Sequence, residues 1–342
     1  MPLNTVLGPV SIDNSGFVNG LPTNITALSD GSFALTVLDS VTSNAVNSVV
    51  YTAQGVLVGG GAAMPPADPQ SESYPDIAGL ANGGYALAWE EWFTVNGLYQ
   101  PLVYTAVYDA QGNQISTPIE ASSGLSYSEL PEATALNGGG YALTWHAANS
   151  NPDLTGDLWT RFFDSAGQPV TAAINLTGPL GGYDQLVLAG APIGVLANGN
   201  VVYSWRSGPF GQGEVYTAIY SADGTNVVGP TKLTNTPSLV ESDVQLAVLS
   251  GGHYALSWQG DSTSTFQSQI YTAVYDSAGN QILAPLVVSG GIGPEIVALS
   301  NGEYAIAWVN GDIYTAVFNA QGALVSGIVN LTNTGGQLVG DV

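Results

Sequence analysis

Six residues hold one register along the chain, each four places before a leucine: Asn24, Asp76, Glu132, Pro192, Gln245 and Glu295. Five of the six carry a side-chain oxygen. Oxygen donors that recur at one place in a repeated unit, and that converge on one point, suit a hard cation such as calcium. Carboxylates gathered there without partners would have raised pKa values. The alternative is an acidic, solvated rim in which polar residues merely end their strands. A second set follows a recurrent tryptophan position: Glu90, His146, Arg206, Gln259 and Val309. Aromatic residues crowd the variable stretches beyond it, with Trp92, Phe93 and Tyr99, then Phe210, then Phe266. Tyr74, Tyr127 and Tyr183 stand in the connections between repeats. Rings beside carboxylates and amides suit a sugar, which offers apolar C–H faces and hydroxyls, and variable loops are where such sites form. The alternative for each ring is packing on the strands beneath it. Carboxylate pairs can also hydrolyse glycosides, and Glu90, Glu91 and Glu132 are candidates. His146 and His253 are isolated and lack a nucleophile motif.

A repeat positions these residues. Its landmark is a Gly-bearing turn followed by a run ending in Trp: Tyr85-Ala86-Leu87-Ala88-Trp89, Tyr141 to Trp145, Val201 to Trp205, Tyr254 to Trp258 and Tyr304 to Trp308. A weaker first copy runs from Phe33 to Val37. Large and small residues alternate, which is the period of a strand, with Tyr, Leu and Trp on one face. A short apolar run precedes each copy. A third strand follows, as in Tyr104-Thr105-Ala106-Val107-Tyr108, and then a turn, Asp109-Ala110-Gln111-Gly112-Asn113, and a fourth strand. Helical periodicity is absent. The copies span approximately residues 22–66, 74–122, 130–177, 190–235, 243–290 and 294–332. Four antiparallel strands repeated radially predict an all-β fold, a six-bladed β-propeller in a single domain over residues 1–342. A seven-bladed or partial array is the alternative. Residues 1–13 read as an extra copy of the fourth strand, able to close the array or to join a neighbouring molecule into an oligomer or filament.

The run from Leu80 to Trp89, the segment Val103 to Ile115 and the run from Pro131 to Trp145 resemble a repeat of large, acidic, secreted bacterial proteins that often carry haemolysin-type calcium-binding segments. The resemblance covers about residues 22–332. It implies export and a surface or adhesive role, and it carries no catalytic residues. The Gly-Gly-x-Gly-x-Asp nonapeptides of such proteins are absent from this chain. The register of Asn24, Asp76, Glu132 and Glu295 is also similar to that of six-bladed calcium-dependent lactonases. That similarity implies a cation in a central channel.

Charge narrows the function. Lys and Arg number 3 against 26 acidic residues, a net charge of −23. Nucleic acid is excluded as a partner, since phosphate binding needs clustered cations. Anionic membrane surfaces are disfavoured, and no apolar run is long enough to insert. There is no cysteine, so disulfides and thiolate chemistry are excluded. The start, Met1 to Thr5, does not read as a secretory signal, so either export uses another route or the sequence is a trimmed one. The expectation is a non-enzymatic extracellular or cell-surface module that binds glycan or surface protein, or self-assembles. No cofactor is required, with calcium the one candidate. The second reading is a calcium-dependent, lactonase-like hydrolase.

Overall fold

The computed structural model describes residues 21–39, 45–61, 72–95, 98–148, 156–180, 191–208 and 213–333. The predicted Phe210 and the extra strand over residues 1–13 lie outside them. The described residues form six four-stranded antiparallel sheets, one per repeat, the blades of a six-bladed β-propeller fold. In chain order the first holds β1 (Leu21–Ala27), β2 (Phe33–Asp39), β3 (Ala45–Tyr51) and β4 (Leu57–Gly61). The second holds β5 (Glu72–Gly79), β6 (Tyr85–Val95), β7 (Leu98–Tyr108) and β8 (Ile119–Glu120). The third holds β9 (Ser128–Ala135), β10 (Tyr141–Ala148), β11 (Gly156–Phe163) and β12 (Ile174–Asn175). The fourth holds β13 (Ile193–Val195), β14 (Val201–Ser207), β15 (Glu214–Tyr220) and β16 (Asn226–Lys232). The fifth holds β17 (Leu239–Val248), β18 (Tyr254–Ser262), β19 (Ser268–Tyr275) and β20 (Gln281–Gly290). The sixth holds β21 (Ile292–Ala298), β22 (Tyr304–Asn310), β23 (Asp312–Phe318) and β24 (Leu324–Asn330).

Two compact units contain these sheets. One is Met1–Asp153 with Thr160–Ile174, and the other is Leu154–Trp159 with Asn175–Val342. The first unit therefore carries the first two blades and most of the third.

Within each unit one packing rule repeats. The Tyr, Leu and Trp of a blade's second strand face the small side chains of the preceding blade. Tyr85, Leu87 and Trp89 pack on Ala34, Val46 and Val50. Tyr254, Leu256 and Trp258 pack on Val202, Val215 and Ile219, and Tyr304, Ile306 and Trp308 pack on Ala255, Ile270 and Val274. Aromatic pairs across the second and third strands stiffen the large face. The ring of Tyr85 stacks on Tyr108 at 5.2 Å, and Trp258 stacks on Tyr271 at 5.7 Å.

A hydroxyl pair pins neighbouring blades at the same level. Thr105 Oγ1 donates to the Leu87 carbonyl at 2.9 Å and so accepts from the Tyr141 hydroxyl at 3.0 Å. Thr272 does the same between Leu256 (2.9 Å) and Tyr304 (3.2 Å). The Ser48 hydroxyl meets Tyr85 at 2.6 Å.

The turns follow their residue chemistry. Asp109 Oδ1 accepts from the backbone N–H of Gln111 and Asn113 at 2.9 and 2.8 Å, and Asp276 repeats this with Ala278 and Asn280. Gly84 is required by a close approach, because a Cβ there would overlap the Tyr108 carbonyl. The fourth strand of the second blade is only two residues long. Gln114 makes an isolated bridge to Tyr108, and regular pairing resumes only at Ile119.

Trp258 is almost wholly buried between two blades of one unit. Trp258→Ala should lower unfolding stability by about 3–5 kcal/mol, read from the denaturant midpoint. Phe266→Ala, at a ring 87% exposed, should change it by less than about 0.5 kcal/mol. Equal losses at the two sites would contradict the packing rule.

Candidate functional site

A bulge in the first strand of the second, third, fifth and sixth blades shapes one end of their sheets. Ser73 pairs with Glu90 and Asp76 with Ala88, so Tyr74 and Pro75 together face the single residue Trp89. Leu130 and Pro131 face Trp145 in the same way, Asp243 and Val244 face Trp258, and Gly293 and Pro294 face Trp308. The first bulged residue is left-handed in all four blades, with φ of 44° at Tyr74, 55° at Leu130, 49° at Asp243 and 58° at Gly293. Three of these are not glycine, and each such residue costs about 1–3 kcal/mol. Proline follows in three blades, and having no N–H it suits a place where the ladder is already broken.

The bulge turns a backbone N–H toward the preceding blade, and the residue after the tryptophan takes it. Leu130 N donates to Glu90 Oε1 at 2.6 Å. Gly293 N donates to Gln259 Oε1 at 3.1 Å. Glu90, a predicted binding residue, and Gln259, at the same place in its repeat, are thereby engaged in joining blades.

Around Glu90, in the first unit, the second and third blades bring several groups together. Glu90 is 1% exposed, and its second oxygen accepts from the Ser73 hydroxyl at 2.8 Å. The Trp92 indole N–H donates to the same Ser73 hydroxyl at 3.1 Å. The Trp92 ring stacks on Tyr99 at 5.0 Å and meets Tyr127 edge-on at 6.1 Å. Phe93 turns the other way and packs on Tyr104 at 5.8 Å. Tyr74 stands 60% exposed. His146 pairs across the strands with Glu129, and its Nδ1 lies 3.4 Å from Glu129 Oε1. Glu72 and Glu91 are a further cross-strand pair, both buried. Glu72 accepts from the Val46 N–H, and its Oε1 has no hydrogen-bond partner among the described residues.

Burial governs the protons here. It pushes the Glu90 carboxyl up to about 7, against the opposing hydrogen bonds from Leu130 and Ser73, and the nearby Glu129 adds to the rise. Burial likewise raises Glu72 to about 8, with Glu91 adding to it.

Two members of the predicted cation ring, Asn24 and Asp76, make hydrogen bonds to the neighbouring blade. Asn24 Nδ2 donates to the Pro75 carbonyl at 2.7 Å, and Asp76 Oδ2 accepts from Ala133 N at 2.7 Å. Each reaches sideways to the next blade's first strand, where a backbone group claims it. Glu132 stands beside Asp76. Burial and that neighbouring charge raise Glu132 to about 8, while burial raises Asp76 to about 6. Gln245 and Glu295 belong to the second unit, where burial and then Asp243 raise the Glu295 carboxyl. Among the described residues no three His, Cys, Asp or Glu side chains are grouped to hold a metal ion.

The second unit also holds Arg206 and Phe266. Arg206 lies by the buried Glu241, whose carboxyl burial raises to about 7. Glu214 binds Lys232 at 2.9 Å and accepts from Thr234 at 2.7 Å. Ser73 and Glu129 escaped the sequence reading. Their signal was the proline two residues beyond each, Pro75 and Pro131, which marks the bulge that exposes them.

No protein-family model and no curated protein matches the chain. Solved structures do. A protein of unknown function from Dyadobacter fermentans has a TM-score of 0.50 at 12% identity, with 91% of this chain and 94% of that one covered. A polysaccharide lyase described as an ulvan lyase has a TM-score of 0.54 at 11% identity, covering 92% and 86%. A puromycin hydrolase has a TM-score of 0.51 at 16% identity and is matched over 90% of this chain, which spans only 47% of the hydrolase. At these identities the likeness is one of fold.

The raised carboxyls set a pH dependence. Their folded-state values of about 7 and 8 lie above the ordinary 4.5. Their contribution is complete below pH 4.5 and is lost as pH rises through those folded values. The loss is at most roughly 1.4 kcal/mol per group per pH unit. The melting temperature should fall between about pH 5 and pH 8, and Glu90→Gln should flatten the fall. A melting temperature that climbs over this range would refute the assignment.

Proposed function

We propose that the chain is a non-enzymatic, extracellular carbohydrate-recognition propeller whose binding surface is the bulged end of the second and third blades. The observation that carries this reading is the Trp92, Tyr99 and Tyr127 ring cluster, held by Ser73 and bordered by Glu90, Glu129 and His146. Rings supply faces for sugar C–H groups, and the polar border supplies partners for hydroxyls. The rings stand on strand ends stiffened by the bulge, so little ordering entropy is lost on binding.

Charge selects the sugar. Residues 1–160 contain no lysine or arginine. Arg161 of the third blade spends its guanidinium on the Thr171 and Ala121 carbonyls, so a uronate or sulfated saccharide would find little countercharge and the ligand class is an uncharged saccharide. Polysaccharide lyases and other enzymes have similar folds, which makes carbohydrate a natural ligand class for the architecture. The extracellular setting rests on the acidic, cysteine-free composition.

A second reading has one specific observation behind it. The Asp76 and Glu132 carboxyls differ in proton affinity, at about 6 and about 8. Two carboxyls held apart in this way can serve as base and acid. In that reading the chain turns over its saccharide, and Glu132→Gln stops turnover without loss of binding.

Calorimetric titration with a panel of neutral, uronate and sulfated oligosaccharides tests the proposal. A neutral member should bind, and Trp92→Ala should weaken it by at least roughly tenfold while leaving the melting temperature unchanged. Binding confined to the anionic members, or unaffected by Trp92→Ala, would sink the reading.

A further inference from the structure

The outer strands of the fifth and sixth blades are apolar and open to solvent. On β20, Ile282, Leu286 and Val287 are 38 to 45% exposed. On β24, Leu324, Val325, Ile328 and Val329, with Leu331 just beyond, are 46 to 58% exposed. The two strips are continuous, because Leu283 lies against Gly322 in the turn that leads into β24.

Proteins usually guard an outer strand with proline, charge or shortness. Four other outer strands here follow that practice, while β4, with Leu57 and Val58 exposed, is only five residues long. β8 and β12 are two residues long, β16 has Pro230 and Lys232, and β20 has Pro285. β24, Leu-Val-Ser-Gly-Ile-Val-Asn, has no proline and no charge. Its outer edge has no partner strand among the described residues.

Charge identifies what fits this rim. Residues 277–294 and 313–340 contain no Asp, Glu, Lys or Arg, in a chain of net charge −23. Two copies brought together at the acidic surfaces would press carboxylates against carboxylates. Along β20 and β24 they meet without that repulsion. A basic partner finds no countercharge on this strip, and an anionic lipid surface is repelled by the chain as a whole.

We propose that the rim formed by β20 and β24 is the face through which two copies of this chain associate, with the two β24 strands lying against each other across a two-fold axis. A self-complementary apolar strip suits such an isologous contact. Two register shifts between β23 and β24 twist the outer edge. The contact is therefore made chiefly by the Leu, Ile and Val side chains and only secondarily by a continued ladder. This surface is distinct from the carbohydrate site and stands or falls without it.

Sedimentation velocity of the whole chain tests the proposal, over about 1–100 µM at low and high salt. The expected result is a reversible dimer that tightens with salt as the self-repulsion is screened. Leu324→Lys with Ile328→Lys should weaken it by at least roughly tenfold at unchanged melting temperature. Val325→Glu alone, at a side chain more than half exposed, should have the same direction of effect if the double variant folds poorly. A wild-type chain that stays monomeric throughout, or a dimer that both variants leave intact, overturns the proposal.

Discussion

The structure depends on an inequality between the two faces of each blade. One face presents Tyr, Leu and Trp from the second strand, and the other presents Ala, Val and Ile. In the fifth blade Tyr254, Leu256 and Trp258 point one way, and Ala255, Ile270 and Val274 point the other. Large on small fills the space between sheets at interior density, where large on large would clash and small on small would leave a void. The Thr and Tyr hydroxyls on this interface, as in Thr105 and Tyr141, satisfy each other while buried. A polar pair at a fixed level leaves the packing one register, because a slip would orphan both hydroxyls.

That packing sets the terms for the end where recognition is proposed. A wide Trp at the end of the second strand is met by two residues of the first strand, and the resulting bulge rotates an N–H toward the preceding blade. Glu90 and Gln259 answer it. Burying Glu90 to do so raises its proton affinity, so a residue that looks like a ligand contact serves as a joint with a titrating proton. Recognition is left to side chains farther out, Trp92, Tyr99 and Tyr127, which rest on that joint through Ser73.

Charge acts over a longer range. A chain with a net charge of −23 tolerates its acidity because the carboxylates are dispersed, spent on turns as at Asp109 and Asp276, or buried with raised proton affinity. The same dispersal leaves a neutral rim on two outer strands and a cation-poor carbohydrate site. The two proposed surfaces are thus read from one compositional fact, the near-absence of lysine and arginine.

The strands were legible because alternation from Tyr85 to Trp89 is a property of the chain, and a period of two leaves no other regular structure. The Asp109 to Asn113 turn was legible because its hydrogen bonds span four residues. So was the packing role of the tryptophans, since each recurs on the large face of a strand. The directions of Asn24 and Asp76 were not. Their register suggested convergence on a cation, but a side chain's aim is set by the bulge and by the backbone group it meets 51 or 57 residues away. Nor was the meeting of Trp92 with Tyr127 legible, because it joins the second strand of one blade to the residue just before the first strand of the next. Local periodicity and turn chemistry act within a few residues and are written in the sequence. Which buried polar atoms find each other across blades is decided by packing alone, and so only the tertiary structure assigns those residues their work.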